Sequence, residues 1–165
     1  MNYNPTNAEE QHSLGERYAK GDGVPRNHEK AAYWYTKAAE QGHAEAQFHL
    51  GLMYLVGGDG VPQNFEKTEY WHTKAAEQGF AAAQSMLGFM YLPMNFEKSV
   101  YWYTKAAEQG GVEDQFNLGL MYSEGDGVHQ DFEKAVYWYS KAAEQGDAEA
   151  QNKLEKLTKQ EVLNG

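Results

Sequence analysis

The chain has 165 residues and no cysteine; 41% of its residues are apolar and 14% aromatic. That composition can bury a core as one domain or one short repeat array, and it excludes disulfides, thiolate metal sites and a cysteine nucleophile. Lys and Arg number 14 against 24 Asp and Glu, a formal net charge of −10, which argues against a nucleic-acid partner, whose phosphates are held by basic side chains, and suits a basic protein or peptide.

The chain opens MNYNPTNAEEQHSLGERY, without the basic and apolar regions of a signal peptide. No apolar run approaches the length that spans a bilayer. A cytoplasmic location, with no membrane contact, is the expectation. Asn7 or Thr6 can cap a first helix, with Glu10 or Glu9 three residues on. This helix carries QHSLGERY (11–18) and ends before the turn GDGVPRN (21–27). Asn27 stands where an N-cap belongs, able to accept from free backbone N–H groups. The second helix then contains YWYTKAAEQG (33–42) and stops at Gly42, which tolerates the left-handed conformation of a C′ residue. Its apolar stripe is Ala31, Trp34, Tyr35 and Ala38, a bulky Trp beside small residues that facing helices can interdigitate around.

Both motifs then return. Q-x-x-L-G-x-x-Y recurs at 47–54, 84–91 and 115–122; the decamer recurs as YWHTKAAEQG (70–79), YWYTKAAEQG (101–110) and YWYSKAAEQG (137–146). The tryptophans fall at 34, 71, 102 and 138, in steps of 37, 31 and 36. A fixed period of this size is the mark of a repeat architecture. In the second unit Ala44, Gln47, Gly51 and Tyr54 share one face of the first helix, with Leu50 beside them. Glycine in mid-helix costs about 1 kcal/mol against alanine, so Gly15, Gly51, Gly88 and Gly119 imply the close approach of another helix. Asn64, Asn95 and Asp131 are the later N-caps; Gly79, Gly110 and Gly146 are the later stops. The second unit has an extra Gly at 57–58. The third has lost the GDGV loop, and Pro93 cannot continue a helix interior; a short first helix, a tight turn and a local change of pitch are expected there. The tail DAEAQNKLEKL (147–157) begins like a fifth unit but places Glu155 where Gly belongs. It reads as a capping helix over 148–161 with one polar face, as the end of an array needs.

One such hairpin cannot bury both faces, whereas stacked neighbours can. The residues L-G-x-x-Y, G-D-G-V, K-A-x-x-W-Y-x-K-A-A-E-Q-G and A-x-A-Q closely resemble the Sel-one-like repeat (SLR) family, a branch of the tetratricopeptide class. The resemblance runs from about residue 8 to 157. It implies an all-α fold, a right-handed α/α superhelical solenoid of four helix hairpins plus the capping helix. Residues 1–165 would form one domain, with repeats at about 8–43, 44–80, 81–111 and 112–147 and the four tryptophans at equivalent depth in one continuous interior.

No motif carries chemistry. GDG lacks the Lys and the preceding strand of a phosphate loop and reads as a turn. The histidines at 12, 28, 43, 49, 72 and 129 include no i, i+4 pair and no H-E-x-x-H, so they are expected to be satisfied or solvated, with no metal and no cofactor. Glu40, Glu77, Glu108 and Glu144 recur near helix ends as a solvated face. A second apolar stripe on the first helices is the one surface of interest. It comprises Glu45, Phe48, Leu52, Leu55 and Val56 in the second unit, Phe89 and Leu92 in the third, and Phe116 and Leu120 in the fourth. In the first unit the same face is polar, with Glu9, His12, Glu16 and Lys20. Matching positions in tetratricopeptide proteins line the concave groove. By that resemblance Phe48, Leu52, Leu55, Phe89, Leu92, Phe116 and Leu120 would form an apolar floor, with Glu45, Glu113 and Glu124 nearby. The alternative is that these side chains pack between adjacent helices.

What the family resemblance implies is a non-catalytic protein-interaction scaffold or adaptor that binds a protein or peptide, a basic one suiting the charge, as a monomer. An immunity-type inhibitor of a cognate bacterial toxin is a narrower version. Weak hydrolysis of the β-lactam-binding type, linked to cysteine-rich members, is the remaining alternative; the absence of Cys and of an activated nucleophile argues against any enzyme.

Overall fold

The computed structural model describes the backbone of residues 5–164 and the side chains of residues 5–159; the outermost ends of the expected 1–165 domain lie outside them. Its helices are α1 (Ala8–Lys20), α2 (His28–Glu40), α3 (Ala44–Val56), α4 (Phe65–Glu77), α5 (Ala81–Tyr91), α6 (Phe96–Glu108), α7 (Val112–Glu124), α8 (Phe132–Glu144) and α9 (Ala148–Asn164). Among the described residues the only strand-like pairing is an isolated bridge between Gly58 and Val61. The fold is an all-α repeat of helix hairpins. No described helix is long and apolar enough to cross a membrane. The chain divides into two compact units, Met1–Ala83 and Gln84–Gly165.

Helix ends follow the local chemistry. Asn7 accepts from the Glu10 N–H at 2.8 Å. Asn27, Asn64, Asn95 and Asp131 accept from the N–H groups of Lys30, Lys67, Lys98 and Lys134 at 2.8–3.0 Å, satisfying a donor that the first turn leaves open. Helix α5 is 11 residues long where α1, α3 and α7 have 13. Asn95 N–H reaches the Tyr91 carbonyl at 2.7 Å and closes a tight turn around Pro93, as the lost loop requires. Helix α9 runs beyond the expected 148–161 to Asn164. Its start is capped by Asp147, which accepts from the Ala150 N–H, and Leu154 and Leu157 pack on Tyr139 and its neighbours.

The core is built differently from the tryptophan-centred expectation. The decamer's third residue, not its second, fills each hairpin: Tyr35, Tyr103 and Tyr139 are buried, and His72 takes the same place in the second repeat. The four tryptophans are only half-buried. The ring that follows each of them points at the mid-helix glycine of its own hairpin. A Cβ added to Gly119 would stand 2.5 Å from Tyr139 Cδ1, and one on Gly88 would stand 2.5 Å from Tyr103 Cδ1. The glycine is therefore a socket for a ring. Trp71 and Trp138 cover seams between repeats instead. In the first unit Trp71 packs on the cluster of Ala31, Tyr35 and Leu50. In the second, Trp138 packs on Tyr103, Ala107 and Leu118. On the first helix of the second repeat the buried residues are Ala46, Gln47, Leu50 and Gly51, so Ala46 rather than Ala44 faces inward.

The rest of the decamer has equally specific work. Its first Tyr is exposed and meets the adjacent Trp edge-on at 4.8–5.0 Å. The Lys four residues on lies over that Tyr ring, at 5.8 Å for Lys37 and 5.9 Å for Lys141. The Gln is a stitch. In the first unit, buried Gln47 of α3 donates to the Ala39 carbonyl of α2 at 3.0 Å and accepts from Gln78 at the end of α4 at 2.7 Å. In the second unit, Gln115 of α7 donates to Ala107 of α6 and accepts from Gln145 after α8. Buried amides of this kind need both partners, and each joins three successive helices.

The ring-in-socket contact makes a direct prediction. Gly119→Ala gains helix propensity of about 1 kcal/mol but drives a methyl group into the body of a fully buried ring. Overpacking of that kind costs about 1–3 kcal/mol. Urea titration should show a lower midpoint for Gly119→Ala, while Gly119→Ala/Tyr139→Ala, which empties the socket, should not show the sum of the two single losses.

Candidate functional site

The expected groove residues fall into two sets, one in each unit. In the first unit, Phe48 is half-buried among rings, 5.3 Å from His72 and 5.3 Å from Phe80 between centroids. Leu52 and Leu55 are half-buried and Glu45 is exposed. Leu52 lines a cleft of about 240 Å³ with Tyr35, His49, Met53, Val56 and Val61. Val56, at the end of α3, is 77% exposed. In the second unit, Phe89 is 66% exposed. Leu92 packs beside Tyr103, Leu118 and Met121. Phe116 lies 5.6 Å from Tyr139, Leu120 is half-buried, and Glu113 and Glu124 are exposed. The stripe is thus part open and part packing: Phe48 and Phe116 serve the interior, whereas Phe89 and Val56 stand exposed.

The GDG turns hold neighbouring repeats. In the first unit Asp59, at φ 44°, pairs with His28 at the start of α2 at 3.2 Å. In the second unit Gly127, at φ +73°, lies so close to α6 that a Cβ would stand 2.5 Å from the Phe96 backbone. A left-handed residue without room for a side chain must be glycine, so a packing role accounts for the motif.

Two buried histidines depart from the expectation that the histidines are satisfied or solvated, and one buried carboxylate was not anticipated. His72, where the other repeats have Tyr, is fully buried, and neither ring nitrogen completes a hydrogen bond. Burial lowers its pKa to about 4, with the Phe48 backbone pulling weakly the other way. His12 is 4% exposed and its Nε2 also lacks a partner. Its pKa is lowered by burial and then by His43. Asp114, 5% exposed, is held by the Ser85 hydroxyl at 2.7 Å. Burial raises its pKa, against the opposing Ser85 bond. The sequence carried a signal for Asp114: A-x-A-Q at 44–47, 81–84 and 148–151 becomes V-E-D-Q at 112–115.

The histidines of the first unit gather. His12 stacks on His43 at 4.5 Å and lies 5.6 Å from His49. One ligand atom each of His12, Glu16 and His49 lies within 4.8 Å of the others. Sequence spacing could not reveal this set, because His12 and Glu16 come from α1 and His49 from α3. His12 and Glu16 occupy the repeat positions held by Phe48 and Leu52 one unit later, so the cluster continues the same face in polar form.

Two titration effects follow. His72 has its folded pKa below the unfolded value near 6.5. The stability of its neutral form is therefore complete above pH 6.5 and is lost as pH falls towards 4, by up to about 3 kcal/mol. His72→Tyr should flatten the stability curve over that window in chemical denaturation. Asp114 has the opposite sign. Its folded pKa is raised, so its burial costs stability once it ionises and the cost vanishes at low pH. Asp114→Ala, restoring the alanine of the other repeats, should raise stability at pH 7 by about 1 kcal/mol, with the gain shrinking as pH falls through the raised folded value towards the usual carboxylate range and staying flat below it.

The repeats invite comparison with known proteins. The family model of the Sel1 repeat matches residues 11–43, 44–80, 81–111 and 112–147. Among solved structures, a Sel1 repeat protein from Oxalobacter formigenes is 41% identical over 89% of this chain, with a TM-score of 0.84. The protective antigen c5321 of uropathogenic Escherichia coli, which displays an SLR fold, is 40% identical over 92% of this chain, with a TM-score of 0.81. This chain spans 62% and 33% of those two chains. Helicobacter pylori cysteine rich protein B, 24% identical over 75% of this chain and 92% of its own, shares the fold with a TM-score of 0.57. No match is found among curated protein sequences. Sel1 repeat proteins generally mediate protein–protein interactions and are typically non-catalytic. Four consecutive repeats account for residues 11–147, and the chain belongs to the Sel1 repeat family.

Proposed function

We propose that this protein is a non-catalytic scaffold that binds a basic protein or peptide through the first helices of its hairpins. The observation that carries this reading is that, within each unit taken by itself, open apolar side chains and open carboxylates occur on those helices. Phe89 of α5 is 66% exposed and Val56 of α3 is 77% exposed. Glu45 on α3 and Glu113 and Glu124 on α7 are exposed as well. Large apolar side chains left in water lose little by docking and gain burial, while exposed acidic groups and a net charge of −10 favour a basic partner and speed its arrival. An inhibitor of a basic toxin would be one instance of the same surface.

Two variants test it without entering the core. Phe89→Asp changes a largely exposed ring, and Glu113→Lys/Glu124→Lys reverses two exposed charges. The bait is untagged or cleaved protein on a solid support, presented to a lysate of the source organism. A partner of basic composition should be lost from Phe89→Asp while its helical circular dichroism matches wild type. The association rate of that partner should fall steeply with salt, and less steeply for the charge-reversed variant. Equal capture by wild type and both variants, or an on-rate indifferent to salt, would remove the proposed surface.

A further inference from the structure

We propose that His12, Glu16 and His49 form a site for a divalent transition ion of the Zn²⁺ class, within the first unit and independent of any docked protein. The geometry comes first. His12 and Glu16 are four residues apart on α1, so they project from one helix face, and α3 brings His49 to them. One ligand atom from each lies within 4.8 Å of the other two. Around a tetrahedral ion with bonds of about 2.1 Å, ligand atoms stand about 3.4 Å apart. Closing the set requires modest rotation of Glu16 and His49, whose side chains are 31% and 30% exposed and so can move.

The second observation is the unsatisfied nitrogen. His12 is 4% exposed, yet its Nε2 has no hydrogen-bond partner among the described residues. A buried imidazole nitrogen without a partner is costly, and an ion would be the missing one. The stacked neighbour His43 does not compete for that role. Its Nδ1 accepts from the Ala46 N–H at 3.2 Å, and its Nε2 lies 3.1 Å from Glu9. With Nδ1 occupied as an acceptor, the proton sits on Nε2 and points at the Glu9 carboxylate.

The donor set suits the ion. Two imidazoles and one carboxylate are borderline ligands that favour Zn²⁺, Ni²⁺ and Cu²⁺ over Mg²⁺ or Ca²⁺. Glu16 accepts a hydrogen bond from Lys20 at 2.6 Å. Lys20 is thus the group an arriving ion must displace from that oxygen. Glu45, 3.8 Å from His49, adds negative charge at the rim. Three protein ligands leave an open coordination position towards solvent.

The test uses the untagged full chain, stripped with chelator, and titrated with ZnCl₂ and separately with CoCl₂ and MgCl₂. One Zn²⁺ per chain should bind. Affinity should fall more than about 10-fold in His49→Ala and in Glu16→Gln, and stay unchanged in the exposed control His129→Ala. Co²⁺ should give visible bands typical of a low-coordinate nitrogen and oxygen set, lost in His49→Ala. Zn²⁺ should also raise the thermal midpoint of wild type and not of His49→Ala, whose own circular dichroism establishes that it folds. Absence of saturable Zn²⁺ binding, binding unchanged in both ligand variants, or equal affinity for Mg²⁺ at scattered carboxylates would overturn the proposal.

Discussion

A ring seated on a glycine is the contact on which each hairpin depends. Two helices can approach closely enough to trap an aromatic side chain only if the facing position carries no Cβ. In the fourth repeat Gly119 receives Tyr139, and in the third Gly88 receives Tyr103. The helix propensity forfeited at the glycine, about 1 kcal/mol, is offset by full burial of a large ring. Once that contact is set, the other residues of the decamer have fixed places. The alanines that follow lie at the helix interface, Trp71 and Trp138 span the seam to the preceding repeat, and the closing glutamines Gln78 and Gln145 reach the buried Gln47 and Gln115 of their hairpins' first helices. The second repeat keeps the socket but fills it with His72, which leaves two ring nitrogens without partners. This places a pH-sensitive defect inside the unit that also carries the His12, Glu16 and His49 cluster.

The fold was legible in the sequence because its signals are local and repeated four times. Asn and Asp caps, the glycine stops and the spacing of small residues each state a short-range geometric need. Pro93 and the missing loop likewise announced the shortened α5. The core assignment was less legible. Trp34 and Tyr35 are adjacent, and a 3.6-residue period puts both near one face. Only the position of the partner glycine decides that the tyrosine goes inward and the tryptophan to the seam. Sequence periodicity constrains the face and not the depth.

The candidate site was readable only in part, for a related reason. The stripe from Glu45 to Glu124 was visible as a second apolar face, but sequence could not say that Phe48 and Phe116 would be drawn into aromatic clusters while Phe89 stays open. The histidine and glutamate cluster showed only half of itself in the spacing, because His12 and Glu16 are four apart on α1 whereas His49 arrives from α3. It becomes legible once repeats are superposed, when His12 and Glu16 fall on the positions of Phe48 and Leu52. Buried Asp114 is the converse case, a departure from A-x-A-Q that was present in the letters and meaningful only when the burial of that position was known.

The glutamine stitch has a consequence for how such a chain can vary in length. Each bond runs from an alanine carbonyl through one amide to the next helix end, so its phase is one whole hairpin. Adding or removing a hairpin in that phase leaves every amide with both partners, whereas cutting within the phase strands a buried amide group. The shortening in the third repeat obeys this restriction, since the missing residues fall between Tyr91 and Asn95 and outside the Ala–Gln–Gln path. Growth by duplication is therefore permitted in steps set by a hydrogen bond rather than by the size of the hydrophobic core, and sequence drift is steered towards the turns.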